Sequence, residues 1–262
     1  MMTATGVRKE ARENLRGKWK KGVLITLCYL VVEMVIQWIM RKTEDSSALN
    51  LLMSIGNLVI SIPISYGLTV SFMKLKRNEE VEPFDFLTLG FKSFSRSWKV
   101  FGNMLLKMIV PVIVTIVTYF GIMFVAGFIV ATSTLGAAST LSMLTTTDVI
   151  VSVISKFAWI FIIGCVILFA AGIWLYLRQL HYVLSFNIAY DEPELTGKEA
   201  VEKSQNMMNG NKGNYFVLTL SFIGWAILSV FSFGIGFLWL LPYMQVAFVC
   251  FYETLKNKTD NN

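Results

Sequence analysis

Apolar residues are gathered into six long stretches, separated by shorter polar segments. The stretches cover roughly residues 22–40, 52–74, 100–131, 157–190, 215–233 and 236–254. A helix needs about 20 apolar residues to cross the hydrocarbon core of a bilayer, so each stretch can form a membrane span. Gly234 and Gly236 provide a tight turn between the last two stretches, which makes those spans antiparallel neighbours. The pattern predicts an all-α, polytopic membrane helix bundle with six transmembrane helices.

A shorter and more polar segment with helical spacing precedes each odd-numbered span. In the first segment, apolar side chains recur at every fourth position, at Val7, Ala11, Leu15 and Trp19. The second segment, residues 84–98, has one apolar face and two basic residues outside that face. The apolar residues are Phe84, Leu87, Phe91, Phe94 and Trp98, and the basic residues are Lys92 and Arg96. The third segment has a capping-box pattern and then one small or apolar side: Thr196 and Glu199, then Ala200, Ser204, Met207 and Met208. We expect three interfacial amphipathic helices on the cytoplasmic side, attracted to anionic headgroups.

The three short segments and the spans that follow them form units of similar layout. The units are residues 7–75, 84–190 and 196–255, followed by a tail of residues 256–262, within one integral membrane domain of residues 1–262. A tyrosine recurs shortly before the expected exit of each closing span, at Tyr66, Tyr182 and Tyr243. The layout predicts a degenerate threefold repeat. The alternative is that membrane hairpins with basic flanks resemble one another by composition alone.

The composition supports a membrane location. Of the 262 residues, 55% are apolar and 15% are charged, whereas about 25% of residues are charged in an average soluble domain. The mean hydropathy is +0.61, and a soluble protein of this kind would expose too much apolar surface to stay in solution. The composition therefore excludes a disordered chain, a coiled coil and a secreted disulfide scaffold.

The basic residues predict the orientation of the chain. Most of the 23 Lys and Arg residues lie in residues 1–22, 74–99 and 191–214 and in the C-terminal tail, and the alternate connecting segments carry few. Cytoplasmic loops are enriched in Lys and Arg, so we expect both termini in the cytoplasm. The N-terminal segment lacks the small-residue cleavage site of a signal peptide, so the first apolar stretch is interpreted as a retained membrane helix.

Four segments of the chain resemble one family of bacterial membrane proteins. They read ARENLRGKW, EAVEKSQNMMNGNK, LTLSFIGWAILS and LPYMQVAFVCFYETL, in that order. Together they resemble domain-of-unknown-function family number 975, and the resemblance extends over nearly the whole chain. It implies a six-span protein of the bacterial cytoplasmic membrane and no established reaction. A weaker likeness is to the membrane domain of glycerophosphodiester phosphodiesterases, which is not the catalytic part of those enzymes.

Polar and ionisable residues inside the spans are candidate functional residues, because charge in a membrane costs about 2.5–3.5 kcal/mol on insertion scales. Arg178 lies deep in the fourth span if that span ends at Asp191, and is an interfacial anchor if the span ends near Arg178 itself. We hypothesise that Glu33 pairs with Arg178, either to fix helix packing or to contact a substrate. The candidate intramembrane polar site comprises Glu33, Lys107, Arg178, His181, Tyr182, Tyr243 and Gln245.

Basic and aromatic residues that flank the spans are candidates for contact with lipid headgroups. They are Arg12, Arg16, Lys18, Trp19, Lys92, Arg96, Trp98 and Lys212. Because these residues adjoin membrane spans and are mixed with acidic residues, anionic lipids or a membrane protein are the expected partners. Nucleic acid is not an expected partner.

The sequence contains no recognisable catalytic or cofactor motif. It has no P-loop, GxGxxG, HExxH or GxSxG pattern. Cys28, Cys165 and Cys250 lie within apolar stretches, and the one histidine has no Cys or Asp at catalytic spacing. We therefore predict no enzyme activity, no cofactor and no metal site, and we disfavour an intramembrane enzyme that would use Glu33 and His181.

Two functions remain open. The leading one is a non-enzymatic membrane protein that binds lipids or partner proteins through a basic and aromatic face at the inner leaflet. The alternative is a transporter or flippase-like protein for an amphiphilic or anionic solute, with Glu33, Arg178, His181 and Gln245 along its path. The first predicts co-purified anionic lipid or a stable partner, and the second predicts a water-accessible polar cavity near the midplane.

Overall fold

Helices account for nearly all of the computed structural model, which describes residues 3–41, 47–138 and 146–260. No β-strand occurs within these ranges. A single turn of 3₁₀-helix covers Leu180–Tyr182. The α-helices are α1 (Ala4–Leu15), α2 (Trp19–Arg41), α3 (Ser47–Lys76), α4 (Asp85–Lys92), α5 (Phe94–Ala138), α6 (Thr146–Gln179), α7 (Ser185–Asp191), α8 (Gly197–Met208), α9 (Lys212–Leu220), α10 (Ile223–Phe231) and α11 (Phe237–Asp260).

Within the described residues, six helical segments are long and apolar enough to cross a membrane, which confirms the predicted all-α bundle with six spans. They are Trp19–Met40, Leu51–Lys76, Phe94–Thr132, Ala158–Asp191, Lys212–Phe231 and Phe237–Thr259. Two of these spans are interrupted. The fourth passes from α6 through the 3₁₀ turn into α7, and the fifth breaks at Ser221 and Phe222 between α9 and α10.

The described chain divides into two compact units. One consists of Met1–Met104 and Leu180–Asn262, and the other of Leu105–Gln179. We call them the core unit and the hairpin unit. The prediction of one domain over residues 1–262 stays a prediction.

The core unit is centred on α3, α7 and α11, the helices that close the three predicted hairpins. Helix α3 packs against both α7 and α11. The Tyr66 ring meets the Phe186 ring edge to face, with centroids 5.5 Å apart. Large side chains from all three helices are fully buried, among them Tyr66, Phe72, Met73, Ile188, Phe251 and Tyr252. Close packing of these side chains holds the three closing helices together where they contact one another.

Each short polar helix packs against a closing helix. Helix α4 packs on α3, α8 packs on α7, and α1 packs on α11. Helices α4 and α8 thus each pack on the closing helix of the preceding unit. Helix α1 packs on the closing helix of the last unit. This arrangement follows the three predicted units, although the repeat itself stays a prediction.

Helix α1 turns its apolar side toward the protein. Its N-terminus is capped by the Thr3 hydroxyl oxygen, which accepts a hydrogen bond from the Gly6 N–H at 3.2 Å. Val7, Ala11 and Leu15, the predicted apolar positions, are buried, and α1 contacts α11 and α9. The apolar stripe is therefore covered by neighbouring helices, and contact of α1 with a membrane surface depends on its other sides.

Helices α3 and α4 approach each other backbone to backbone through glycine. A Cβ atom on Gly67 would lie 1.8 Å from the carbonyl oxygen of Phe86, and one on Gly90 would lie 2.2 Å from that of Pro63. The sequence interpretation of residues 84–98 as one helix is wrong in detail, because α4 ends at Lys92 and α5 begins at Phe94. The face buried against α3 carries Phe86 and Gly90, whereas the predicted apolar residues Phe84, Phe91 and Phe94 are exposed.

The hairpin unit consists of long apolar helical segments with outward-facing side chains. Near Tyr119, α5 meets α6, where a Cβ atom on Gly164 would lie 3.1 Å from the Met123 sulfur. Many large apolar side chains are exposed on both helices, among them Val117, Phe120, Phe124, Phe128, Trp159, Phe161 and Phe169. Such surface suits hydrocarbon rather than water.

Candidate functional site

A network of ion pairs joins the ends of the three closing helices in the core unit. We call it the charge cluster. Its members come from α1, from the end of α3, from α7 and from α11. They are Glu10, Lys76, Arg77, Asp191, Tyr252, Glu253 and Lys256.

Asp191 is the most deeply placed acid of the charge cluster, with 4% of its side chain exposed. The two terminal guanidinium nitrogens of Arg77 donate to its two oxygens at 2.7 and 2.9 Å. Lys256 donates to the same carboxylate at 2.8 Å, and the Tyr252 hydroxyl donates at 3.0 Å. Since a buried carboxylate is tolerated only when it is paired and hydrogen-bonded, these donors explain how Asp191 can lie inside the protein.

Glu253 is the second acid of the charge cluster that pairs with two basic side chains. The Nε of Arg77 donates to Glu253 at 2.9 Å, and Lys76 forms a short ion pair with the same side chain. Lys76 also lies 3.6 Å from Glu10 of α1. Hydrogen bonds to Asp191 raise the pKa of Arg77 above its ordinary value, so Arg77 stays charged.

The charge cluster places one end of α3, α7 and α11 together, with α1 beside them. The expectation that both termini are cytoplasmic stays a prediction. Sequence reasoning missed the cluster, although each closing span does end on charged residues: Lys76 and Arg77, Asp191 and Glu192, and Glu253.

A second feature of the core unit is an apolar groove of about 490 Å³ formed mainly by α1, α10 and α11. Aromatic and aliphatic side chains form most of its wall, and two arginines of α1 lie at its edge. The residues that line it are Arg8, Arg12, Trp19, Trp225, Leu228, Ser229, Ser232, Gly236, Trp239, Leu240 and Tyr243.

The groove adjoins the break in the fifth span. At this break the Arg8 guanidinium donates to the carbonyl oxygen of Ser221 at 3.1 Å. The Tyr243 hydroxyl donates to the carbonyl oxygen of Arg8 at 3.2 Å, and its ring meets Phe222 edge to face, with centroids 5.1 Å apart. Non-helical backbone at membrane depth needs partners inside the protein, and α1 supplies one through Arg8.

Among the candidate intramembrane residues, Tyr243 lines this groove, whereas His181 and Tyr182 lie elsewhere in the core unit. His181 is in the 3₁₀ turn, where its Nε2 contacts the Lys212 ammonium and its carbonyl oxygen accepts from Ser204 at 2.8 Å. Tyr182 is buried. These contacts hold the 3₁₀ turn against α8 and α9.

The remaining candidates have different surroundings. Glu33 and Gln245 are half-buried on α2 and α11 of the core unit. Arg178 is exposed in the last turn of α6, where its guanidinium lies 5.4 Å from the centre of the Trp174 ring. Lys107 is half-buried on α5. Because Glu33 belongs to the core unit and Arg178 to the hairpin unit, their pairing stays a prediction.

The candidate headgroup residues fall into two groups: those that have contacts within the protein and those whose charges face outward. The Lys18 ammonium donates to the Leu75 carbonyl oxygen at 2.8 Å, and burial lowers the Lys18 pKa. Arg96 donates to the carbonyl oxygens of Ala189 at 3.0 Å and Pro193 at 2.6 Å.

The Trp98 indole N–H donates to the Val59 carbonyl oxygen at 3.4 Å. Lys212 contacts His181, and Trp19 lines the groove. In contrast, Arg12, Arg16 and Lys92 are exposed. These last three therefore remain the strongest candidates for headgroup contact, because their charges face outward.

Within the described ranges, no group of three or more His, Cys, Asp or Glu side chains could hold a metal ion. Cys250 is buried on α11, and the Asn14 amide lies 3.9 Å from its sulfur.

The comparisons with known proteins identify a family and nothing more specific. A family model described as a protein of unknown function (DUF975) matches residues 1–259. No curated protein and no solved structure matches the chain significantly. The likeness to the membrane domain of glycerophosphodiester phosphodiesterases is therefore not supported.

Proposed function

We propose that this chain, which belongs to the DUF975 family of proteins of unknown function, is a non-enzymatic membrane protein that binds anionic lipids at the cytoplasmic face. The observation that carries the proposal is the position of α1, α4 and α8. Each is fastened to a closing helix, and the charge cluster gathers the ends of those closing helices. We call these three short helices the collar.

The collar combines outward basic charge with exposed aromatic surface. Arg16 follows the last residue of α1, Lys92 ends α4 and Lys198 lies in the first turn of α8, and all three are exposed. Phe84, at the start of α4, is 56% exposed. A basic residue near an anionic membrane contributes about 1 kcal/mol, and aromatic side chains favour the headgroup level. This combination favours anionic lipid over a soluble partner.

Neutralising the collar tests the proposal. The variant carries Arg16→Gln, Lys92→Gln and Lys198→Gln, one change for each short helix. The protein is extracted with mild detergent from bilayers that mix phosphatidylglycerol with phosphatidylcholine. We expect the lipids that accompany the wild-type protein to be enriched in phosphatidylglycerol relative to the bilayer. We expect the variant to lose most of this enrichment, because three exposed attractions are removed.

A matched control replaces exposed acids, with Glu80→Gln, Glu82→Gln and Glu194→Gln. This control changes net charge in the opposite direction and should keep or increase the enrichment. Equal enrichment in the collar variant and the wild type would contradict the proposal.

The transporter alternative draws support from one observation, the break of the fifth span at Ser221 and Phe222. Discontinuous spans often form substrate sites in transporters. Its path was expected to include Glu33, Arg178, His181 and Gln245, but the His181 imidazole contacts the Lys212 ammonium, and the His181 carbonyl oxygen accepts from Ser204. A cysteine at position 245 that reacts with a water-soluble thiol reagent in a background without native cysteines would favour transport, and protection of that position would oppose it.

A further inference from the structure

The groove between α1, α10 and α11 has the chemistry of a discrete ligand site. Its volume of about 490 Å³ lies within the usual range for small-molecule sites, which combine apolar walls with a few placed polar groups. Its apolar wall includes Trp225 and Leu228 of α10 and Trp239 and Leu240 of α11. An acyl chain would pack along these walls and gain dispersion contacts with them.

The serines of the groove do not add much polarity to its wall. The Ser229 hydroxyl donates to the Trp225 carbonyl oxygen at 2.8 Å. The Ser232 hydroxyl donates to the Ser229 carbonyl oxygen at 2.8 Å and accepts from the Gly236 N–H at 2.9 Å. Because these hydroxyls already have partners in the α10–α11 turn, the wall favours an apolar chain over a polar solute.

The charged edge of the groove has one sign. Arg8 and Arg12 line it, and none of the other described lining residues is charged. The Arg8 guanidinium is tied to the Ser221 carbonyl oxygen, whereas Arg12 is exposed. A guanidinium suits phosphate because its N–H groups can make paired, charge-assisted hydrogen bonds. A ligand that fits both parts of the groove therefore carries an anionic head and an apolar tail.

We infer that the groove holds one anionic phospholipid, with its phosphate at Arg12 and an acyl chain along Trp225, Leu228 and Trp239. The inference rests on the proposed function and adds to it a single, saturable site. Arg8 is a positioning residue in this site: it fixes α1 against the break in the fifth span, so that Arg12 lies at the groove edge.

Native mass spectrometry of the full chain, released from micelles that contain equal phosphatidylglycerol and phosphatidylcholine, tests the inference. We expect the wild type to retain one phosphatidylglycerol molecule in preference to phosphatidylcholine. Arg12→Gln should lower this retention about tenfold or more, because a charge-assisted contact is lost. Lys9→Gln is the matched control, since Lys9 is exposed on the same helix but does not line the groove.

A second pair of variants tests the apolar wall without changing charge. Leu228→Trp adds bulk inside the groove, and Ile227→Trp adds the same bulk on α10 at an exposed position that does not line the groove. We expect loss of the retained lipid only for Leu228→Trp. Equal retention in these two variants, or equal retention of both lipids by the wild type, would overturn the inference.

The collar variant separates this inference from the proposed function. Arg16→Gln, Lys92→Gln and Lys198→Gln together should reduce bulk enrichment while one phosphatidylglycerol stays bound. A wild-type protein that shows bulk enrichment but no retained single lipid would refute the groove site and leave the proposed function standing. A retained lipid without bulk enrichment would support the groove and contradict the collar.

Discussion

Asp191 connects α3, α7 and α11 through one carboxylate. It accepts from Arg77, Lys256 and Tyr252, and 4% of its side chain is exposed. The negative charge of Asp191 is needed, because Arg77 and Lys256 would otherwise be two positive charges close together with no acid between them. Asp191 thus joins the ends of the three closing helices.

We expect Asp191→Asn to destabilise the core unit. Removing one partner from a fully buried ion pair costs about 3–5 kcal/mol. The cost here should be smaller, because the side chains of Arg77 and Lys256 are each 29% exposed and water can compensate part of it. Thermal unfolding in detergent checks this, with Glu194→Gln as an exposed-acid control. An Asp191→Asn midpoint equal to that of the control would contradict the role assigned to Asp191.

At the level of single residues, the sequence indicated candidates whose roles stay predictions. Tyr243 was singled out as an unusual polar residue, and it does line the groove together with Trp19 and Arg12. The pairing of Arg77 with Asp191 joins residues 114 positions apart. Such a partner cannot be found from one sequence, because helical spacing identifies neighbours only three or four positions apart.

The contact between α3 and α4 shows how two helices can be joined by the absence of side chains. Gly67 and Gly90 allow the backbones to approach where any Cβ would collide. Small residues serve this purpose at helix interfaces in membranes, since dispersion contacts rather than the hydrophobic effect drive packing there. The position of α4 on α3, and with it one third of the collar, depends on this approach.

We expect Gly67→Ala to displace α4 and lower stability, because the added Cβ would lie 1.8 Å from the Phe86 carbonyl oxygen. Gly56→Ala is a matched control in the same helix, where nothing lies within 4 Å of the added Cβ. The control should be neutral or stabilising by about 0.5–1 kcal/mol. Detergent unfolding midpoints compare the two variants. A Gly67→Ala midpoint as high as that of Gly56→Ala would show that the close approach is unimportant.

At the level of elements, the hydropathy pattern predicted where spans lie but not where they break. The six spans follow from apolar length alone, and the capping box of α8 follows from Thr196 and Glu199 at the required spacing. The interruption at residues 180–184 carries no Pro or Gly. A break of this kind is set by tertiary contacts, here between the 3₁₀ turn and α8 and α9, so sequence periodicity could not reveal it.

At the scale of the whole molecule, the short helices α1, α4 and α8 lie against the closing helices of the core unit. The charge cluster and the groove share α1: Glu10 reaches Lys76 of the cluster, and Arg8 and Arg12 line the groove. The position of α1 therefore links the packing of the core unit to the groove and to the proposed lipid-binding face.

The central claim, that the protein selects anionic lipid by charge, is tested most directly by the salt dependence of lipid recovery. Wild-type protein is extracted in mild detergent from bilayers of equal phosphatidylglycerol and phosphatidylcholine, at low and at high salt, and the recovered lipids are quantified. Exposed charges are screened by salt. We expect phosphatidylglycerol above its bulk share at low salt and a clear decrease at high salt. Recovery of the two lipids in their bulk ratio at low salt would contradict it.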